Sequence, residues 1–136
     1  MLIKESKKGN SFNLPGGGVD FIERGKTETF IQSAIREAEE ESGQEVVIDG
    51  FMGIDHILDE RKIHITLAAT AIGGFLRASN GHPEVIAVTF NEIEQLHKAG
   101  RLRSERVLQR AHQYFKGFIY DLKLLQTMEK DVFPIN

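Results

Sequence analysis

Three glutamates, Glu37, Glu40 and Glu41, fall within little more than one helical turn, directly after Arg36. At about 100° per residue in a helix, their side chains cluster on one side. Like charges so close repel one another and cost helix stability. A hard divalent cation held by carboxylate oxygens reverses that cost and brings Lewis-acid chemistry with it. The competing reading is a solvated acidic helix face, the ordinary meaning of a Glu-rich stretch. Geometry on the helix alone does not separate the two.

The element that must position these groups is legible around them. Ile31, Ala34, Ile35 and Ala38 form the i, i+3, i+4, i+7 stripe of a helix that buries one face. Thr29 with Gln32 three residues on predicts a capping box, and Gly43 is placed as the left-handed stop. Ahead of the helix, Leu14 and Pro15 lead into three glycines, Gly16, Gly17 and Gly18. A glycine turn feeding a capped acidic helix weighs against the solvated-face reading.

Arg36-Glu37-Ala38-x-Glu40-Glu41-x-Gly43, with Glu28 eight positions before Arg36, resembles the Nudix box, whose pattern is G-x5-E-x7-R-E-U-x-E-E-x-G-U with U bulky and apolar. Two departures stand out. Gly17 has Glu23 at the first motif spacing, whereas Glu28 satisfies the second, so an insertion within Asp20–Lys26 accounts for both and Glu28 keeps the helix register. Gln44 replaces the final apolar residue. The resemblance implies a single Nudix domain over 1–136, an α/β (α+β) fold built as an α/β/α sandwich with a mixed sheet. It implies metal-dependent hydrolysis of a pyrophosphate bond in a nucleoside di- or triphosphate or a nucleoside diphosphate-linked compound. Mg²⁺ or Mn²⁺ is the implied cofactor, held by Glu37, Glu40 and Glu41 with the Gly16 carbonyl. Arg36 in the family pairs with a box carboxylate and orients it, although a plain i,i+4 pair with Glu40 predicts a similar contact. Such an ion neutralises a polyanionic substrate and activates water.

The remaining site candidates are less specific. Glu84 lies just before an apolar run, where many family members place a loop acid, and is a candidate further ligand or general base. Gly17, Gly18 and His82 are the substrate-binding candidates. His64 falls on the polar side of a strand pattern and could face a cleft, while His56, His97 and His112 look incidental. Phe21 and Ile22 in the inserted loop could touch substrate or pack on the domain. Leu102-Arg103-Ser104, Tyr114 and Tyr120-Asp121-Leu122 resemble the C-terminal part of phosphatase-type Nudix members, which act on nucleotides and thiamine-type pyrophosphates.

Elsewhere the pattern predicts a short apolar start at Met1–Lys4, a brief strand at Ser11–Leu14, and strands at Glu45–Ile48 and Phe51–Ile57 with Asp49-Gly50 as turn or bulge. Asp59–Lys62 reads as a charged hairpin connection into a strand alternating at Ile63, Ile65, Leu67, Ala69 and Ala71. Gly73-Gly74 and residues 78–82 read as breakers. Val85–Phe90 reads as a strand buried on both faces. Asn91 with Glu94 is the expected cap of a short helix, and Ser104 that of another facing inward through Val107, Leu108, Ala111 and Phe115. Phe118–Met128 reads as a further helical segment and the DVFPIN tail as loose. The domain resembled usually has one more strand before the segment matched by Met1–Ser6, so an open sheet edge is expected there.

Composition sets outer bounds. The 136-residue chain is 40% hydrophobic and 27% charged, long enough for a sizeable core. A formal charge of −3 offers no general basic field for nucleic acid. Without cysteine there are no disulfides, thiolate metal sites or cysteine nucleophiles. No signal peptide or spanning run is visible, so the expected setting is cytoplasmic with no membrane partner. The expected partner is a small-molecule nucleotide or diphosphate, and a homodimer is compatible with the sequence. The competing function is a catalytically weak module of the same fold that binds a nucleotide or metabolite as a sensor. Isomerase and mRNA-decapping branches lack support, with no cysteine and no basic extension.

Overall fold

The computed structural model of the chain describes residues 1–5, 11–17, 21–22, 26–79 and 81–125. Strands β1 (Leu2–Glu5), β2 (Ser11–Asn13), β3 (Phe21–Ile22) and β4 (Lys26–Thr27) precede helix α1 (Phe30–Ser42). Two long strands, β5 (Gln44–Ile57) and β6 (Lys62–Gly74), follow, then β7 (Glu84–Ile86), α2 (Phe90–Lys98), α3 (Glu105–Phe115) and one 3₁₀ turn at Leu122–Leu124. Strand order is β2-β1-β7 in one sheet, with β3-β4 and β5-β6 as two-stranded ribbons. All named strand pairs are antiparallel; a parallel bridge joins Phe12 to Leu102.

One face of the three-stranded sheet carries the core. Leu2, Phe12, Ile93, Val107 and Ala111 are buried together, with Leu14, Ile86, Leu102 and Leu108 packed around them. Leu2 pairs with Ile86 and Lys4 with Phe12 in register, so alternation puts these side chains on one face and Glu5 and Asn13 on the other. The helices α2 and α3 cover the core face, while α1 packs on β5. This is the layered arrangement expected. Helix α1 begins and ends where its signals placed it. Thr29 and Gln32 form the reciprocal capping box, and Gly43 stops the helix at φ 78°.

Gly43 does more than end the helix. Its missing Cβ makes room for the segment after β6: a Cβ there would sit 2.6 Å from Arg77 Cγ, where Arg77 N–H donates to the Ser42 carbonyl. Gly43→Ala is therefore expected to lose about 2 kcal/mol from left-handed strain alone. A thermal melt reads this as a drop of several degrees; an unchanged melting temperature would refute it.

Several expectations are corrected. Glu45–Ile48 and Phe51–Ile57 are one strand, β5, and of the two readings for Asp49-Gly50 the register shift there selects the bulge. β1 is not beside an open edge, because β2 and β7 pair on either side of it. Val85–Phe90 is not a doubly buried strand: β7 stops at Ile86 and Phe90 opens α2. The cap of α2 is Thr89 with Glu92, not Asn91 with Glu94. Ser104 precedes α3 but makes no side-chain cap bond, and Phe115 is exposed. Over the described residues 118–125 of the segment read as a helix, Tyr120 pairs with Phe51 and a 3₁₀ turn at Leu122–Leu124 follows. Residues 126–128 and the DVFPIN tail lie outside the described residues.

Candidate active site

The box helix turns its acid toward the fold. Ser33, Ala38, Glu41 and Ser42 are its buried residues, and Glu37 is nearly so, with a side-chain exposure of 13%. Glu40 is the outward one, at 57%. The three glutamates thus divide: Glu37 and Glu41, four apart, share the inner side, and Glu40 faces water.

The glycine turn closes over the inner pair. Gly16 N–H donates to Glu41 Oε2 at 3.0 Å. Gly17 lies against the other carboxylate; a Cβ on it would stand 2.6 Å from the Glu37 carboxyl carbon. Gly16 has open space at the same position. Gly18 and Glu23 lie outside the described residues, as do the side chains of Phe21 and Ile22.

Arg36 gathers the remaining carboxylates. Its guanidinium forks onto Glu28, at 2.6 Å from NH2 and 3.0 Å from Nε, and its NH1 lies 3.0 Å from both Glu37 and Glu40. Glu28 is buried at 7% exposure. The spacing argument that favoured Glu28 over Glu23 is thereby matched by a contact, and the i,i+4 pair with Glu40 is present as well. A two-point fork onto a buried carboxylate fixes the arginine far more rigidly than the surface pair alone.

Glu41 is the electrostatic centre. Loss of hydration pushes its carboxyl up from 4.5 to about 8, against the opposing Gly16 N–H bond. The hydrogen bond and charge of Glu37, and the charge of Glu5, raise it further. Glu5, on the non-core face of β1, carried no signal in the sequence; only the pairing of β1 beside the box reveals it. Ser79 was likewise missed. Its hydroxyl donates to the Glu41 carbonyl at 3.2 Å and lies 3.3 Å from His82 Nδ1. The closed 79–82 turn brings His82 Nε2 to 4.0 Å from Glu41 Oε1, so this substrate-binding candidate does reach the box.

Glu84 goes elsewhere. Paired with Lys4 across β1 and β7, it makes a 3.4 Å ion pair with that lysine, half exposed, on the face opposite Glu5. Strand alternation decides this, since one residue's shift would have turned it to the other side. His64 meets Glu60 at 3.5 Å, away from the box.

Among the described residues, no group of three or more His, Cys, Asp or Glu is placed to hold a metal ion. Of the expected trio, Glu37 and Glu41 share the inner side, and Glu40 points outward beside Arg36. The donor chemistry of the pair still fits a hard divalent cation: two adjacent carboxylates, one of them buried. Among the described residues, no helix is long and apolar enough to cross a membrane.

No protein-family model matches the chain, and no curated protein does. Among solved structures, it is similar to a NUDIX hydrolase from Nitrosomonas europaea, with a TM-score of 0.73 and 25% sequence identity. The likeness covers 93% of this chain and 86% of that one.

Proposed function

We propose that this chain, a member of the Nudix family by its box and its fold, is a divalent-metal-dependent pyrophosphohydrolase acting on a nucleoside di- or triphosphate or a nucleoside diphosphate-linked small molecule. The observation that carries the reading is the buried Glu41 beside Glu37 under the Gly16–Gly17 turn. Glu37 and Glu41 would hold Mg²⁺ or Mn²⁺, which when bound supplies charge neutralisation and a more acidic water. Arg36 holds Glu28, Glu37 and Glu40 in place, and Glu40 is the outer carboxylate nearest that set. Gly16 N–H keeps Glu41 Oε2 oriented. His82, fixed by Ser79, offers Nε2 to a substrate oxygen or a proton at Glu41 Oε1. A single domain over 1–136 working in the cytoplasm on a small molecule is consistent with this assignment.

The test is phosphate and pyrophosphate release across nucleotides, nucleotide sugars, dinucleoside polyphosphates and thiamine pyrophosphate, with Mg²⁺, Mn²⁺ or EDTA. Metal-dependent release supports the hydrolase. Binding without release from any compound would move the reading to a sensor module. The turn supplies a sharper check. Gly17→Ala should displace the Glu37 carboxylate and lower kcat about 10–100-fold with little change in melting, because a misplacement near 1 Å costs that much. Gly16→Ala, with open space, should leave kcat within about twofold. Equal effects of the two would contradict the placement of Glu37.

A further inference from the structure

A second charged cluster lies where α3 crosses the β5–β6 ribbon, and the box chemistry does not use it. Arg103, Arg106 and Arg110 meet Asp55 and Glu60 there, with His64 and Thr66 alongside. Three guanidiniums face two carboxylates, and the carboxylates are already engaged. Asp55 is forked by Arg110 at 2.8 and 3.0 Å, and Arg110 also bonds the Met52 carbonyl and Gln113. Glu60 is shared between Arg103 at 3.4 Å and His64 at 3.5 Å. Against the desolvation that would raise it, the His64 bond and the Arg103 charge hold the Glu60 carboxyl below its usual range. Arg106 is left over. Among the described residues its one hydrogen bond is a 3.5 Å contact from NH1 to Thr66 Oγ1, although a guanidinium carries five N–H donors. Burial pulls Arg106 below its ordinary range, with Asp55 opposing and Arg110 adding to the effect.

The sheet connects this cluster to the box. Phe12 N–H donates to the Arg101 carbonyl at 2.8 Å and Arg103 N–H to the Phe12 carbonyl at 2.7 Å, so a single parallel bridge at Leu102 ties the chain to β2. Leu102 and Phe12 both point into the core, so alternation turns Arg103 and Asn13 to the opposite face. Asn13 Nδ2 donates to Glu5 Oε1 at 2.6 Å on that face, and Glu5 is the residue whose charge reaches Glu41. Two strand spacings, about 10 Å in all, separate β1 from the 101–103 segment.

We infer that Arg106, with Arg103 and His64, forms an anion subsite that takes a phosphate group of the substrate remote from the bond cleaved. The inference rests on the hydrolase reading for its substrate, but not for its anion. A guanidinium with unused donors in a net-positive, half-buried setting binds a phosphate through paired charge-assisted bonds. The subsite would select substrates that carry a second phosphate group.

The deciding experiment is calorimetric titration of the full chain with inorganic pyrophosphate in EDTA at low salt, where the box carboxylates only repel the probe. Wild type and Glu41→Gln should bind alike, Arg106→Ala should bind at least tenfold more weakly, and Arg106→Lys should fall between. Melting curves show whether each variant is folded, and if Arg106→Ala is not, Arg106→Lys and Arg103→Ala decide. Kinetics separate the source of the anion: a nucleoside triphosphate against its diphosphate tests a longer chain, and a 3′-phosphorylated nucleotide against its parent tests a phosphomonoester. In the arm that uses the subsite, Arg106→Ala should raise KM about 10–100-fold with kcat held. No pyrophosphate binding by wild type, or equal binding by a folded Arg106→Ala, overturns the subsite while leaving hydrolysis untouched. Binding lost in Arg106→Ala with no turnover of any substrate overturns the hydrolase reading and leaves the subsite standing.

Discussion

Glu41→Gln is expected to lower metal-dependent kcat by about three orders of magnitude, near 4 kcal/mol of transition-state stabilisation, while leaving the fold intact. The amide keeps the shape and can still accept the Gly16 N–H, but it cannot ligate a hard cation as a carboxylate does. The same variant should change stability in the opposite sense when metal is withheld. Glu41 is raised from 4.5 to about 8 in the fold, so the folded protein holds a proton that the unfolded chain releases. Its contribution is complete below pH 4.5 and lost as pH climbs through 8. Metal-free wild type should therefore melt progressively lower from pH 5 to pH 8.5, and Mg²⁺ should restore it by binding the ionised form. Glu41→Gln has no such group, so its metal-free melting should fall less over the same window. Turnover that survives the substitution with normal Mg²⁺ dependence would remove Glu41 from the site. A pH slope shared by both proteins would remove its buried charge as the cause.

The parts of this site that were legible in the sequence are those fixed by local physics. Thr29, Gln32 and Gly43 set the limits of α1 by bonds to neighbours three or four residues away, which is why the helix stands where they predict. Glu28 and Arg36 are eight apart, the spacing of the Nudix box that the chain resembles, and the structure joins them. What failed depended on distant chain. Helical periodicity placed three glutamates together but could not say which would be covered. That was decided by the Gly16–Gly17 turn folding over Glu37 and Glu41 and by Arg36 drawing Glu40 outward. Asp49-Gly50 carries the composition of a turn or a bulge, and only the pairing of β6 along both sides of it decides for the bulge. Glu84 had the right neighbourhood in sequence and the wrong parity in the strand. Glu5 and Arg106 carry no motif at all; strand pairing brings the first beside the box, and the contact of α3 with the β5–β6 ribbon brings the second to a cluster of its own.

Arg36→Met is expected to be the most destabilising change at the site, by about 3 kcal/mol. The guanidinium is only 27% exposed and the Glu28 side chain 6%, so truncating the arginine strips a buried carboxylate of its two-point fork. Breaking a buried pair from one side typically costs about 3–5 kcal/mol, and the partial exposure of Arg36 argues for the lower end. The loss should exceed that of a surface pair several-fold, because the Glu40 contact alone would be worth about 0.5 kcal/mol. A double-mutant cycle distinguishes these contributions. Glu28→Gln should recover much of the loss in the Arg36→Met background, since a neutral amide needs no counter-charge, whereas Glu40→Gln should recover little. Denaturant unfolding of the four proteins measures the coupling, and a Glu28–Arg36 coupling below about 0.5 kcal/mol would show that the fork contributes no more than a surface contact. Arg36→Lys tests a different property. It keeps the charge but cannot fork, so it should retain most of the stability while loosening Glu37, to which the same NH1 reaches. Its kcat should accordingly fall further than its melting temperature predicts, which ties the ordering of the box carboxylates to the shape of the guanidinium and not to its charge alone.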